Sequence, residues 1–135
     1  MDIAESIRHI LFREEVVTDL FYDIFLDRHP DVRQYFLGVN LNHQASILRM
    51  VLLLISQNYQ QSTPAINQYL KILGYRHGQR SIPRELYPTF RDCLVETLSR
   101  FHGNDWSDAL QAQWHAAIES ASNIMLEGYS EPGTY

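Results

Sequence analysis

A single cysteine, Cys93, is all that this 135-residue chain contains, so no disulfide can close within it. That usage fits a reducing compartment and sets the expectation of a cytoplasmic protein. Long apolar runs are also missing. The longest, Met50 to Ile55, covers less than two helical turns and cannot cross a bilayer. The opening Met-Asp-Ile-Ala-Glu-Ser lacks the basic-then-apolar pattern of a secretory signal. There is no excess of positive charge; the formal net charge is −5, which gives no broad attraction to nucleic acid or anionic lipid. No repeat and no low-complexity tract interrupts the chain.

Several catalytic signatures are absent as well. No two of the six histidines (His9, His29, His43, His77, His102, His115) stand four apart with a glutamate between them, so the zincin pattern is missing. There is no paired-cysteine metal site, no Gly-x-Ser-x-Gly elbow, no phosphate loop and no dinucleotide fingerprint. Cys93 lies inside a helical apolar pattern and reads as a small core residue.

What remains is helical. Hydrophobic residues make up 45% and charged residues 20%, a composition for a folded chain of one domain. Apolar residues recur at helical spacing in every segment, with no strand alternation. A short first helix is expected within Asp2 to Leu11, with Ile3, Ile7, Ile10 and Leu11 inward. A second runs from about Val16 to Asp27, with Leu20, Phe21, Ile24 and Phe25 toward the core and Tyr22 off that stripe. His29-Pro30 closes it. A short turn or helix covers Asp31 to Phe36, and Leu37 to Leu41 connects it to a helix from about Asn42 to Tyr59. Ser62-Thr63-Pro64 starts the next, with a hydroxyl cap and a proline in the first turn. Gly74 and Gly78 bracket its end on either side of His77. Pro83 is expected to open the following helix, whose stripe is Leu86, Tyr87, Phe90, Leu94, Leu98 and Phe101. Gly103-Asn104 breaks it, Asp105 or Ser107 caps the last helix, and Leu110, Trp114, Ala117, Ile118, Ala121, Ile124 and Met125 line one face. Short connections make an all-α globule of six or seven helices over residues 1–127, with 128–135 as a flexible C-terminal tail or linker stub.

From pattern alone, His77 at a helix end is a cap, a surface residue or a metal ligand. The wider constellation narrows this. Phe21-Tyr22-Asp23, His29-Pro30-Asp31-Val32-Arg33 and Phe36 resemble bacterial globins. So do Gln44 with Leu48, Arg76-His77, Ile82-Pro83, Tyr87-Pro88, Trp114 and Asn123-Ile124-Met125-Leu126. The resemblance spans about residues 15 to 127. It is closest to the globin domain of flavohaemoglobins and to single-domain haemoglobins of the Vitreoscilla type. It implies the three-over-three helical sandwich of the globin fold and a b-type haem, iron protoporphyrin IX.

The roles it implies are these. His77 would be the proximal ligand of the iron through Nε2. Phe36 would stack on the porphyrin, Leu48 would wall the distal pocket, and Tyr87 would hydrogen-bond near the proximal histidine. Tyr22 and Gln44 would be distal donors, stabilising the negative charge that bound dioxygen takes on in a dry pocket. The other reading of Tyr22 is a buried phenol bonded to a backbone carbonyl; Gln44 can equally be a solvated helix residue. A register shift of one would bring His43 over the iron as a sixth ligand in place of Gln44.

Two departures stand out. Where the relatives carry a glutamate late in the last helix, on the proximal side, this chain has Tyr129, with Glu127 two residues earlier; this argues against peroxidase-like activation. No flavin or nicotinamide domain follows, so turnover would need an external reductase. Three readings follow: reversible binding of dioxygen, nitric oxide or carbon monoxide; nitric oxide dioxygenation with a separate reductase; or a gas-sensing module of a signalling system. In the last, the outer faces of the two final helices would form a homodimer.

Overall fold

The structure is a computed structural model that describes residues 1–130. Six α-helices carry it: α1 (Ile3–Phe12), α2 (Glu14–Arg28), α3 (Leu41–Gln60), α4 (Pro64–Gln79), α5 (Leu86–His102) and α6 (Asp108–Gly128). Short 3₁₀ helices at Pro30–Phe36 and Gly103–Asp105 join α2 to α3 and α5 to α6, and no strand occurs among the described residues. Helices α1, α3 and α4 form one layer over α2, α5 and α6, the three-over-three globin arrangement.

The helix starts follow from local chemistry. Asp2 accepts from the Glu5 N–H and starts α1. Asn40, expected only as a breaker, caps α3 by accepting from the Asn42 and His43 N–H groups. Thr63 caps α4 with Pro64 just inside, and of the two candidates for α6 it is Ser107 that accepts from the Leu110 N–H. One expected start is corrected. Pro83 opens a turn, not a helix: the Leu86 N–H bonds the Pro83 carbonyl and α5 begins at Leu86. Pro88 then falls in the first turn of α5, where its missing N–H would have had no helical partner anyway.

The core holds Phe21, Leu52, Leu70, Leu94, Leu98, Leu110, Trp114 and Ile118, all fully buried. Leu20, expected inward, is only partly buried, because the inward stripe of α2 runs through Val17, Phe21, Ile24 and Phe25. Cys93 is buried, as its pattern implied. One polar cluster was not anticipated. The Trp114 Nε1–H donates to Ser6 Oγ at 2.9 Å, and Ser6 Oγ lies 2.6 Å from His102 Nε2. An indole can only donate, so the Ser6 proton is free for Nε2. The cluster ties α1 to α5 and α6, and burial lowers the pKa of His102.

Helix α6 runs through Gly128, which is buried, and Tyr129 donates its hydroxyl to the Ile82 carbonyl at 3.0 Å. The expected tail therefore does not begin at residue 128; residues 131–135 lie outside the described residues. The cause is a backbone-on-backbone crossing of α4 and α6. A Cβ on Gly74 would lie 1.7 Å from the Met125 carbonyl oxygen, and one on Gly128 would lie 2.1 Å from that of Lys71. Neither clash can be relieved by a rotamer change. Gly74→Ala should therefore lower the unfolding free energy by about 3 kcal/mol, despite alanine's better helix propensity. Urea denaturation measures this, and an unchanged or higher midpoint would remove the crossing from its central place.

Candidate functional site

Between the layers lies a mainly apolar cavity. It encloses roughly 1080 Å³ of space not filled by protein, its open mouth included. Tyr22, Phe36, Gln44, Leu48, His77 and Tyr87, the six residues singled out in the sequence, all line it. Phe21, Phe25, Val51, Ile55, Leu73 and Phe90 supply much of the apolar wall.

His77 stands near the C-terminus of α4. The Ile82 N–H bonds the His77 carbonyl at 3.1 Å and the Ser81 N–H bonds the Gly78 carbonyl at 3.0 Å. These two bonds are the paired closure of a Schellman motif, with Ser81 in the left-handed position at φ 59°. The helix therefore passes Gly74 and Gly78 and ends at Gln79. The His77 Nδ1 lies 3.1 Å from the Tyr87 hydroxyl, while Nε2 has no hydrogen-bond partner among the described residues. Burial, with the Arg80 charge adding to it, lowers the pKa of His77 to about 4. The imidazole is neutral at pH 7, with a lone pair available to a metal.

Tyr22 enters from α2, and burial pushes its pKa up to about 12. Its hydroxyl donates to the Gln44 backbone carbonyl at 3.3 Å. That is well beyond the ~2.7–2.8 Å usual for O–H···O, so the bond is weak. Both sequence readings of Tyr22 thus describe part of the geometry: the phenol lines the cavity and rests on a main-chain acceptor. Its ring meets Phe36 edge-on, centroids 5.8 Å apart. Gln44 and Leu48 come one turn apart on α3, and the buried Leu48 closes the wall. His43 is exposed and is not part of the lining, which separates it from Gln44 in register.

One residue of the lining, Arg80, escaped the sequence reading. Among the described residues Arg80 is the one charged side chain of the lining, and it donates to the Tyr35 carbonyl at 2.8 Å. Tyr129 packs against Tyr87, ring centroids 5.9 Å apart. Glu127 turns outward to Lys71, 3.6 Å away, and stays largely exposed. Tyr129 stands on the proximal side, where the resemblance placed it, and Arg80 had no signal beyond lying three residues after His77.

The globin family's sequence profile matches residues 19–125. The fold is similar to that of a bacterial globin from Campylobacter jejuni, with a TM-score of 0.79 and 18% identity over 94% of this chain and 91% of the other. The chain belongs to the globin family. Globins generally bind haem and diatomic gases. Among the described residues, no helix is long and apolar enough to cross a membrane.

The residues present fit a haem. A neutral imidazole with a free Nε2 borders the cavity, the walls are apolar and aromatic, and a cation is available for a carboxylate. In the haem-free protein, a folded-state pKa near 4 against about 6.5 unfolded means that the unfolded chain takes up the proton first as pH falls. Stability should therefore be fully present above pH ~6.5, fall on the order of 3 kcal/mol toward pH ~4, and level off below. His102 contributes in the same direction. Denaturation across this range should show His77→Phe flattening most of the acid slope; an unaltered slope would mean that His77 is not held neutral.

Proposed function

We propose that this chain is a haem globin that reversibly binds dioxygen or another diatomic gas at an iron ligated by His77, with Tyr22 and Gln44 as the polar groups of the gas side. The observation that supports it best is the cavity itself. A neutral imidazole from α4 and a weakly engaged phenol from α2 border one apolar space. Bound ferrous haem b supplies the gas-coordinating centre. Phe36 and Leu48 would pack on the ring, and Tyr87 would orient the His77 imidazole. The Tyr22 hydroxyl, held by only a 3.3 Å bond, is free to donate to a polar ligand instead of to the Gln44 carbonyl. Arg80 would pair with a haem carboxylate at the mouth, where a charge-assisted bond is better than the carbonyl contact it now makes.

The Tyr22 and Gln44 pair also supports a second reading, conversion of nitric oxide and dioxygen to nitrate. Each cycle consumes one electron, which a separate reductase would supply. Mixing the dioxygen-loaded protein with nitric oxide in a stopped-flow cell should then give nitrate in a single turnover; no nitrate removes this reading and leaves gas binding alone.

The main test is spectroscopic. Protein supplied with haem should give a five-coordinate reduced spectrum that shifts on carbon monoxide. His77→Ala should lose that ligation; unchanged axial coordination in the variant would overturn the assignment. Tyr22→Phe should speed dioxygen release by roughly tenfold or more, the value of a hydrogen bond to a charged acceptor. Arg80→Ala should leave the spectrum unchanged and raise the rate of haem transfer to a scavenger protein by roughly fivefold. Equal transfer rates would place the carboxylates elsewhere.

A further inference from the structure

The sixteen acidic residues of the chain are not spread along it. None falls between Asp31 and Glu85, although that stretch holds Arg33, Arg49, Lys71, Arg76, Arg80 and Arg84. Residues 32–84 thus carry a formal charge of +6 in a chain whose total is −5. The charge is set apart in the fold as well: α3, α4 and the turn after α4 hold cations only. The same stretch supplies Tyr35, Phe36, Gln44, His77 and Arg80 to the cavity.

Two of the six cations are paired, Arg49 with Glu14 of α2 and Lys71 with Glu127 of α6. The other four have no carboxylate partner among the described residues. Arg80 and Arg33 donate to the main-chain carbonyls of Tyr35 and Leu26, at 2.8 Å and 3.3 Å. Arg84 lies over the Tyr129 ring, and Arg76 is exposed. All four gather round the end of α4. Arg76 and Arg80 are one turn apart on it, Arg84 follows in the turn, and Arg80 is tied to Tyr35, two residues from Arg33. The macrodipole of α4 favours cations in its last turn and accounts for Arg76 and Arg80. It does not account for Arg33 and Arg84, nor for the lack of any carboxylate on α3 and α4.

We propose that this arginine rim is a docking surface for the acidic face of a small electron-transfer protein. Exposed guanidinium groups meet a partner's carboxylates at little desolvation cost, and such charges speed encounter and set orientation. A compact acidic protein fits better than nucleic acid. The rest of the chain carries −11, and a polyanion longer than the rim would run onto it. The electron-donor role rests on the haem reading given above, whereas docking of an acidic face does not. On that reading Arg80 is held by a haem carboxylate, and Arg33, Arg76 and Arg84 are left for the partner. One electron passes from the partner's reduced centre, which is oxidised, to ferric iron, which becomes ferrous; no bond forms or breaks and no proton moves.

The probe is an acidic plant-type ferredoxin, a one-electron donor. Added to the full chain as purified, at low salt, it should shift the amide ¹⁵N signals of residues 33–37 and 76–84 and leave those of α1 unmoved. Salt at about 0.5 M should abolish the shifts. Arg76→Gln with Arg84→Gln should weaken binding by roughly tenfold at low salt. Arg8→Gln with Arg13→Gln removes the same charge from exposed positions outside the cavity lining and should leave binding within about twofold. No shifts, shifts elsewhere, or equal losses in the two variants would overturn the docking surface. So would tighter binding of a short single-stranded DNA at the same salt. Stopped-flow reduction of the haem-loaded ferric protein by reduced ferredoxin should slow by the same factor in Arg76→Gln with Arg84→Gln, and match wild type at high salt. A haem-loaded protein that binds ferredoxin without being reduced would overturn the electron-donor role. Failure to take up haem would overturn the reading of the cavity and leave the shift map to decide the surface.

Discussion

The contact on which the rest depends is the crossing of α4 and α6, where two glycines let main chain touch main chain. Gly74 faces the Met125 carbonyl and Gly128 faces that of Lys71. Residues four apart share a helix face. One turn beyond Gly74 is therefore Gly78, and one turn beyond Met125 is Tyr129, whose ring lies on Gly78. The crossing thus continues into the site. The register that removes side chains at Gly74 and Gly128 also brings a phenol to the back of His77. A bulkier pair of residues would separate the helices and take Tyr129 out of reach of Tyr87.

Much of this was legible in the chain. Tyr22, Phe36, Gln44, Leu48, His77 and Tyr87 could be placed in one cavity because their types and order match a known pattern, and because helical periodicity puts each on an inward or flanking face. Other parts were hidden for physical reasons. Glycines near a helix end suggest termination, yet Gly74 and Gly78 lie inside α4 and serve close packing, while a serine at φ 59° makes the actual turn. Strain at Ser81 leaves no trace in composition. Ser6, His102 and Trp114 are far apart in sequence and meet only through tertiary packing. Tyr129 fell within the expected tail because Gly128 reads as a break, whereas Gly128 is a point of close main-chain contact with α4.

The acid–base state of the cavity follows from its dryness. Burial lowers His77 to about 4, raises Tyr22 to about 12 and raises Tyr87 as well. All three shifts favour the uncharged form, as a low-dielectric space requires. Among the described residues no aspartate, glutamate or lysine lines the cavity, and Arg80 is the one permanently charged group there. Such a space suits a ligand that is apolar over most of its area and carries its negative charge at one edge. The outer shell obeys the same rule. With Glu127 turned outward to Lys71, a neutral phenol, not a carboxylate, stands behind the histidine. A buried carboxylate there would need its own compensating partner, and the nearby cation, Arg84, is spread over the Tyr129 ring. The choice of tyrosine at residue 129 keeps the whole region uncharged.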